Sequence, residues 1–95
     1  IAELRTRPED REAFAKAVAT GVRTVLSQSP GYLGHSVFAC IETPGRFVLH
    51  VKWQTLQAHT VGFRESPLFA QWRGIVGPYF AQPPMVEHFE VADEA

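Results

Sequence analysis

The strongest structural signal in the chain lies in residues 32–53, which read YLGHSVFACIETPGRFVLHVKW. Apolar side chains alternate around Val37 and again from Arg46 to Trp53, as they do in β-strands with one buried face. The Thr43-Pro44-Gly45 sequence between the two runs is typical of a tight turn. We therefore predict two antiparallel strands, Tyr32–Ile41 and Arg46–Trp53, joined as a hairpin.

The position of the turn predicts the register of this hairpin. With the turn centred near Pro44-Gly45, Ile41 pairs with Val48 and Ala39 pairs with His50. One face of the pair then holds Leu33, His35, Val37, Ala39, Ile41, Val48, His50 and Lys52. The other face holds Tyr32, Ser36, Phe38, Cys40, Phe47, Leu49, Val51 and Trp53. Both faces carry large apolar side chains, and a single chain cannot bury both.

Helices are predicted on either side of the hairpin. Pro8 and the acidic residues after it favour a helix start, and the apolar residues that follow recur at three- and four-residue spacing. This amphipathic helix should stop before Ser29-Pro30-Gly31. After the hairpin, Thr55 and Ser66-Pro67 predict the starts of two short helices, and Gly77-Pro78 predicts the end of the second.

Alternating residues at Ile1–Arg5 and Met85–Val91 predict the first and the last strand of the chain. The order strand, helix, strand, strand, helix, strand is the ferredoxin-like, or split βαβ, arrangement. The predicted fold class is therefore α+β, with one antiparallel sheet in a single domain over residues 1–95. Because both helices cover the same face of that sheet, we expect a homodimer that packs through the open sheet face into a dimeric α+β barrel.

Composition narrows the choice of partners and of compartment. The 95 residues hold nine Lys and Arg against ten Asp and Glu, a formal net charge of −1, so neither nucleic acid nor an anionic membrane is an expected partner. No apolar run approaches the roughly 18 residues that span a bilayer. A single cysteine, Cys40, excludes an intramolecular disulfide. We expect a cytoplasmic protein.

His59 is the candidate catalytic residue. It lies three residues after Leu56 and four before Phe63, so it should face the sheet, where a neutral imidazole can act as a general base. A core histidine bound to a backbone carbonyl is the alternative. Around it we expect an aromatic pocket for a small aromatic substrate, flanked by two cations that could bind an anion. The predicted substrate-binding residues are Trp53, Phe63, Arg64, Trp72, Arg73, Tyr79 and Phe80. The alternative is ordinary core packing of the aromatic residues, with the arginines solvated or bridging two copies of a dimer.

No metal or other cofactor is expected. In the predicted register His35 and His50 lie four pairing steps apart on one face, too far to share a metal ion. The sequence leaves open whether His35, His50 and His88 line the dimer interface or the pocket.

Several segments of the chain have a familiar pattern. They are Phe47–Trp53, Ala58-His59, Gly62–Pro67, Phe69, Gln71–Arg73, Pro84 and Glu87–Phe89. In these segments, and more loosely over nearly the whole chain, the sequence resembles the antibiotic biosynthesis monooxygenase domain family. The resemblance implies a dimeric α+β barrel of similar length, in agreement with the predicted topology.

The resemblance also implies a range of activities. Some relatives oxidise polycyclic phenols to quinones with dioxygen alone, some degrade haem, and others handle small quinols or aldehydes. The cofactor-free relatives use an Asn, Trp and Tyr set, and the haem-degrading ones use Asn, Trp and an axial His. This chain contains no Asn, and it has Trp72-Arg73 in the region where the haem branch would place its histidine. Trp53 matches the family only as an aromatic residue at the end of the third strand.

Three hypotheses of function follow. The first is a cofactor-independent monooxygenase that oxidises an electron-rich aromatic molecule of the phenol or hydroquinone type. The second is a non-catalytic small-molecule-binding or dimerisation module of the same fold. The third is a haem-binding or haem-degrading relative. An open cavity beside His59 and Trp53 would favour the enzyme, and a closed interior would favour the module.

Overall fold

The alternating segments form one antiparallel sheet in the computed structural model, which describes residues 1–95. Its strands are β1 (Ala2–Arg5), β2 (Tyr32–Ala39), β3 (Arg46–Trp53) and β4 (Met85–Val86). The strand order β2-β3-β1-β4 is that of the ferredoxin-like arrangement, so the predicted α+β fold class is confirmed.

The helices begin and end close to the predicted positions. A 3₁₀ turn at Pro8–Asp10 leads into α1 (Arg11–Thr24), and α2 spans Pro67–Val76. The Ser66 hydroxyl oxygen accepts a hydrogen bond from the Leu68 amide at 3.2 Å, which satisfies one of the free N–H groups at the start of α2. The segment after Thr55 is also helical, but residues Ala58–Phe63 form a π-helix rather than an α-helix.

The register predicted for the hairpin is wrong by three residues. Ala39 pairs with Phe47, whereas the prediction paired Ala39 with His50. The reason is an asymmetric loop: Arg46 N–H donates to the Thr43 carbonyl, and Cys40 N–H donates to the carbonyl of Arg46. All residues between Cys40 and Gly45 therefore lie outside the strands.

An odd shift in register moves every side chain of one strand to the other face. His35, Val37 and Ala39 lie on the same face as Phe47, Leu49 and Val51, and not with Val48, His50 and Lys52 as predicted. His35 and His50 thus lie on opposite faces of the sheet rather than four steps apart on one. Ile41, predicted as a strand residue, is 91% exposed in the loop.

β4 is shorter than predicted. The prediction extended it to Val91, but strand pairing ends near Glu87, whose N–H donates to the Ile1 carbonyl at 2.8 Å. β4 pairs with β1 alone, through Ala2 with Val86 and Glu3 with Met85.

The helices bury one face of the sheet. The core consists of Leu4, Phe14, Val18, Val22, Val25, Leu26, Phe47, Leu49, Phe63, Trp72 and Val76. α1 and α2 approach each other closely at Gly21, where an added Cβ would lie 2.8 Å from two ring carbons of Trp72. Glycine at this position leaves room for the Trp72 ring against α1, so the two helices pack closely here.

The opposite face of the sheet is mixed in character. One row across the strands consists of Phe38, Val48, Glu3 and Met85, with Phe38 55% and Met85 58% exposed. Glu3 pairs with Arg46 at 2.8 Å and with Arg5 at 3.2 Å, and the hydrogen bond from Arg46 is the main cause that lowers the pKa of Glu3. This face is less apolar than the predicted register implied.

Candidate functional site

The covered face of the sheet and the helical segments above it do not close completely. They leave an open cleft of about 1340 Å³. Typical small-molecule pockets measure about 300–1,000 Å³, so this cleft has room for a molecule of several rings. Seven of the eight predicted site residues line it: Trp53, His59, Phe63, Arg64, Trp72, Arg73 and Phe80.

His59 lies within a stack of aromatic rings. Its imidazole is nearly parallel to the indole of Trp53, with ring centroids 5.3 Å apart and an angle of 18°. Phe63, which is 2% exposed, lies 5.8 Å from Trp53 and 6.2 Å from His59. Phe69 meets Phe63 edge to face at 5.7 Å. The rings form an apolar wall that holds the imidazole in one orientation.

The π-helical turn explains which side chains reach the cleft from this segment. The Arg64 N–H donates to the carbonyl of His59, five residues back, at 3.1 Å. A turn of this kind holds more residues than an α-helical turn, so side chains five apart lie on the same side. His59, Phe63 and Arg64 therefore all line the cleft, while Leu56 at its edge is 53% exposed.

The second contact of the His59 ring is another histidine. Nδ1 of His59 lies 2.8 Å from Nε2 of His88, and the two ring centroids are 5.0 Å apart. Burial, and after it the positive charge of Arg64 and the neighbouring His88, together lower the pKa of His59 from 6.5 to about 4. At neutral pH the His59 imidazole is therefore uncharged, and one of the two facing nitrogens must carry the hydrogen that joins them.

The lowered pKa of His59 makes stability depend on pH. The unfolded chain, with a histidine pKa of 6.5, binds a proton more readily than the folded one, so stability falls as pH drops from 6.5 towards 4. Because the ring is about half exposed, solvent screening reduces the effect to about 1 kcal/mol. The free energy of unfolding, measured with urea, should fall between pH 7.5 and pH 4.5 in wild type. The fall should be about 1 kcal/mol larger than in His59→Gln. An equal loss in both proteins would contradict the buried, uncharged His59.

Arg64 and Arg73 border the cleft without a carboxylate partner, and Lys52 is a third cation among its lining residues. The ion pairs of the chain join Arg5 and Arg46 to Glu3, and Arg7 to Asp10, so Arg64 and Arg73 belong to none of them. The guanidinium carbon of Arg73 lies 5.1 Å from the ring centroid of Phe80, which holds it against the wall of the cleft. Both guanidinium groups are free to bind an anionic oxygen.

Tyr79 lies away from the other predicted site residues. Its ring packs 5.9 Å from Phe14, and its carbonyl accepts a hydrogen bond from the Thr6 hydroxyl at 2.7 Å. It is not among the residues that line the cleft. The 3₁₀ turn Gly77–Tyr79 after α2 places Tyr79 between α1 and β1, whereas Phe80 reaches the cleft.

The sequence left the positions of three histidines open. His88 lines the cleft, together with its neighbours Phe89, Glu90 and Val91. His50 is among the strand residues along the cleft, but its side chain lies on the open face of the sheet with Val48. Nδ1 of His35 lies 2.6 Å from the Tyr32 hydroxyl. The strand pattern of residues 85–91 indicated only the alternation of side chains, which does not identify the element that His88 contacts.

The structure has no second cavity of similar size. A smaller hollow of about 210 Å³ lies beside Cys40 and Arg46 and contains none of the predicted site residues. No three His, Cys, Asp or Glu side chains lie close enough to hold a metal ion. No helix has the length and apolar character needed to cross a lipid bilayer.

The fold and the cleft define a small ferredoxin-like α+β protein with an open aromatic cavity between its helices and its sheet. Residues 1–74 match the family described as ABM, antibiotic biosynthesis monooxygenase. The chain belongs to this family, as its resemblance in residues 47–89 implied.

Individual relatives agree with this assignment. The uncharacterized protein YczJ of Bacillus subtilis (strain 168) is 34% identical over 82 residues, which are 86% of this chain and 81% of YczJ. A protein of Bordetella bronchiseptica described as belonging to the family has a crystal structure with a TM-score of 0.88. It is 34% identical, and the match covers 96% of this chain and 92% of that one.

A more distant relative shares the fold. It is the monooxygenase of the gene ActVA-Orf6 of Streptomyces coelicolor, solved in complex with the ligand nanaomycin D. Its TM-score is 0.72 at 20% identity, over 98% of this chain and 88% of that one. At this identity the likeness concerns the fold.

Proposed function

We propose that the protein is a cofactor-independent monooxygenase that oxidises an electron-rich aromatic molecule of the phenol or hydroquinone type in this cleft. The observation that carries the proposal is the uncharged imidazole of His59, stacked on Trp53 and lining an open aromatic cavity. Flat aromatic walls suit a flat aromatic substrate. Family membership and the monooxygenase of the same fold support the reaction class.

The reaction balances without an external reductant. A phenol and dioxygen give a quinone and water: one oxygen atom becomes the second quinone carbonyl, and the other leaves as water. The ring supplies all four electrons, and the two hydrogens of water come from the phenolic O–H and the C–H that is replaced. The protein has to help remove the phenolic proton, because the phenolate gives electrons to dioxygen far more readily than the phenol does.

The residues of the cleft have different roles in this reaction. Nε2 of His59, the ring nitrogen that does not face His88, accepts the phenolic proton. Trp53, Phe63, Trp72 and Phe80 line the cleft and contact the aromatic ring of the substrate. Arg64 or Arg73 stabilises the negative charge that develops on the oxygen, as a positioned cation does in an apolar site.

The open cleft favours the enzyme over the non-catalytic module. A module that used these aromatic residues only as core would close over them, whereas here the helices and the sheet remain separated by a cavity that includes His59 and Trp53. Haem binding is the third hypothesis of function. The absence of a Soret band after titration with haem would contradict it.

The test is oxygen uptake with matched substrates. An oxygen electrode should record uptake with members of a panel of phenol, 1-naphthol and hydroquinone, and ¹⁸O₂ should place one labelled atom in the quinone. 1-Methoxynaphthalene is the control for 1-naphthol, because it has the same ring but no proton to lose, and it should give no uptake. No uptake with any panel member, and no thermal stabilisation by them, would contradict the proposal and favour the module.

We also propose that two copies pack through the open sheet face, which completes a dimeric α+β barrel. The exposed Phe38 and Met85, in one row across that face, support this assembly because a second copy would bury them. Light scattering during size exclusion should give the mass of two chains. A single-chain mass at micromolar concentration would contradict it.

A further inference from the structure

The contact between two imidazoles at the wall of the cleft has a further consequence. His59 is half-buried against Trp53, whereas His88 is exposed on the chain segment after β4. Their facing nitrogens lie 2.8 Å apart, within the distance for a hydrogen bond between rings. Both rings line the cleft, but His59 packs against its aromatic wall and His88 is exposed to water, with a single hydrogen between them.

A catalytic base at the position of His59 cannot hold the proton that it accepts without a second group. A proton taken from a phenol would leave a positive charge on an imidazole among apolar rings, near the guanidinium of Arg64. The same surroundings hold the pKa of His59 at about 4, so a charged His59 would return the proton at once. A base that works here needs a second group to carry the charge.

We propose that His88 receives and stores this proton during the reaction, acting through His59 as a positioning residue. The inference rests on the proposed monooxygenase function. In the resting state Nδ1 of His59 carries the hydrogen and donates it to Nε2 of His88. The phenolic O–H bond then breaks as an N–H bond forms at Nε2 of His59, while the hydrogen at Nδ1 moves to Nε2 of His88. The positive charge thus lies on the exposed ring.

The same path in reverse restores the resting state. Nε2–H of His59 donates its proton to the oxygen atom that leaves as water, and Nε2 of His88 returns its proton to Nδ1 of His59. No proton is gained or lost overall, in agreement with the balance of phenol and dioxygen against quinone and water. Proton transfer between two rings at this distance needs no movement of the chain.

The charged and titratable groups around His59 are few. The side chains that act on its pKa are Arg64 from its own helical segment and His88 from the segment after β4. The aromatic neighbours Trp53 and Phe63 carry no charge. His88 is the only one of these groups within hydrogen-bond distance of His59, so no other side chain can take its place.

The tautomer of His59 can be determined by NMR in the absence of substrate. In protein with ¹⁵N-labelled histidine, long-range ¹H–¹⁵N spectra at pH 7 should show His59 protonated at Nδ1 and unprotonated at Nε2. The opposite tautomer of His59, with the hydrogen at Nε2 and His88 as donor, would overturn the relay whether or not the protein consumes oxygen.

Kinetics test the role of His88 during turnover. With the panel phenol that wild type oxidises fastest, His88→Gln should lower kcat about 10²-fold, because glutamine can hydrogen-bond to His59 but cannot take up the proton. KM should stay within about twofold. In His88→Ala, added imidazole should restore part of the lost kcat, which a purely structural role of His88 would not allow. His35→Gln is the matched control and should keep wild-type kcat, because His35 lies outside the cleft.

The outcomes separate the two proposals. Wild-type kcat in His88→Gln, or a loss in His88→Ala that imidazole does not relieve, would overturn the relay while oxygen uptake by wild type still supports the monooxygenase. No oxygen uptake by wild type would contradict the monooxygenase, and the relay with it.

Discussion

Exchange of His59 for glutamine is expected to lower kcat for the oxidation of a phenol by about 10²–10⁴-fold, the usual contribution of a positioned acid or base. Glutamine is similar in size, can still pack against Trp53 and can hydrogen-bond to His88, but it cannot accept a proton. Because the ring of His59 contributes to the wall of the cleft rather than to its closed core, the variant should fold. Oxygen uptake under substrate saturation measures the change.

The quenching of tryptophan fluorescence by 1-naphthol, recorded without oxygen, is the control for binding, because Trp53 and Trp72 both line the cleft. Affinity should change little in His59→Gln while kcat falls. Equal rates for wild type and His59→Gln would remove His59 from the mechanism. A matched loss of affinity and rate would instead indicate that His59 only shapes the cavity.

The sequence predicted the order of elements because that order depends on local patterns. The alternation from Arg46 to Trp53 and the caps at Thr55 and Ser66 act within a few residues, and the structure has a strand and helical segments at those places. The register of the hairpin failed because it depends on distant contacts. The Gly45 carbonyl accepts a hydrogen bond from the Thr6 amide, just after β1, at 2.8 Å, and this contact holds the turn against the end of β1.

The candidate site was predictable where spacing alone brings side chains together. His59 and Phe63 share a side of any helical turn, and the aromatic residues from 53 to 80 had to meet in so small a chain. Arg64 was predicted as a cation flanking the aromatic cluster, but its position on the same side as His59 follows from the π-helical turn, which no spacing rule indicates. Tyr79 is the last residue of the 3₁₀ turn Gly77–Tyr79 and does not line the cleft, whereas the next residue, Phe80, does. The position of His88 depends on the path of the chain after β4.

The turn at Gly45 also gives the largest expected effect on stability. Gly45 has a φ of +92°, where a side chain costs about 1–2 kcal/mol, and an added Cβ would overlap the carbonyl oxygen of Thr6. Relief of that overlap would strain the Thr6 N–H···O hydrogen bond to Gly45, worth about 1 kcal/mol. Gly45→Ala should therefore lower the free energy of unfolding by about 2–4 kcal/mol. For a domain of this size that corresponds to a fall in Tm of roughly 10–20 °C.

Gly74→Ala is the matched control, because it makes the same chemical change where the structure has space. An added Cβ at Gly74 in α2 meets no atom within 4 Å, and alanine favours helix over glycine by about 1 kcal/mol. Thermal unfolding should therefore show Gly74→Ala above wild type and Gly45→Ala far below it. If both variants instead raised Tm, the hydrogen bond between Thr6 and Gly45 could not be what holds the hairpin turn against β1. The asymmetric register of β2 and β3 would then need another cause, since that contact is what draws the turn away from the centre of the loop.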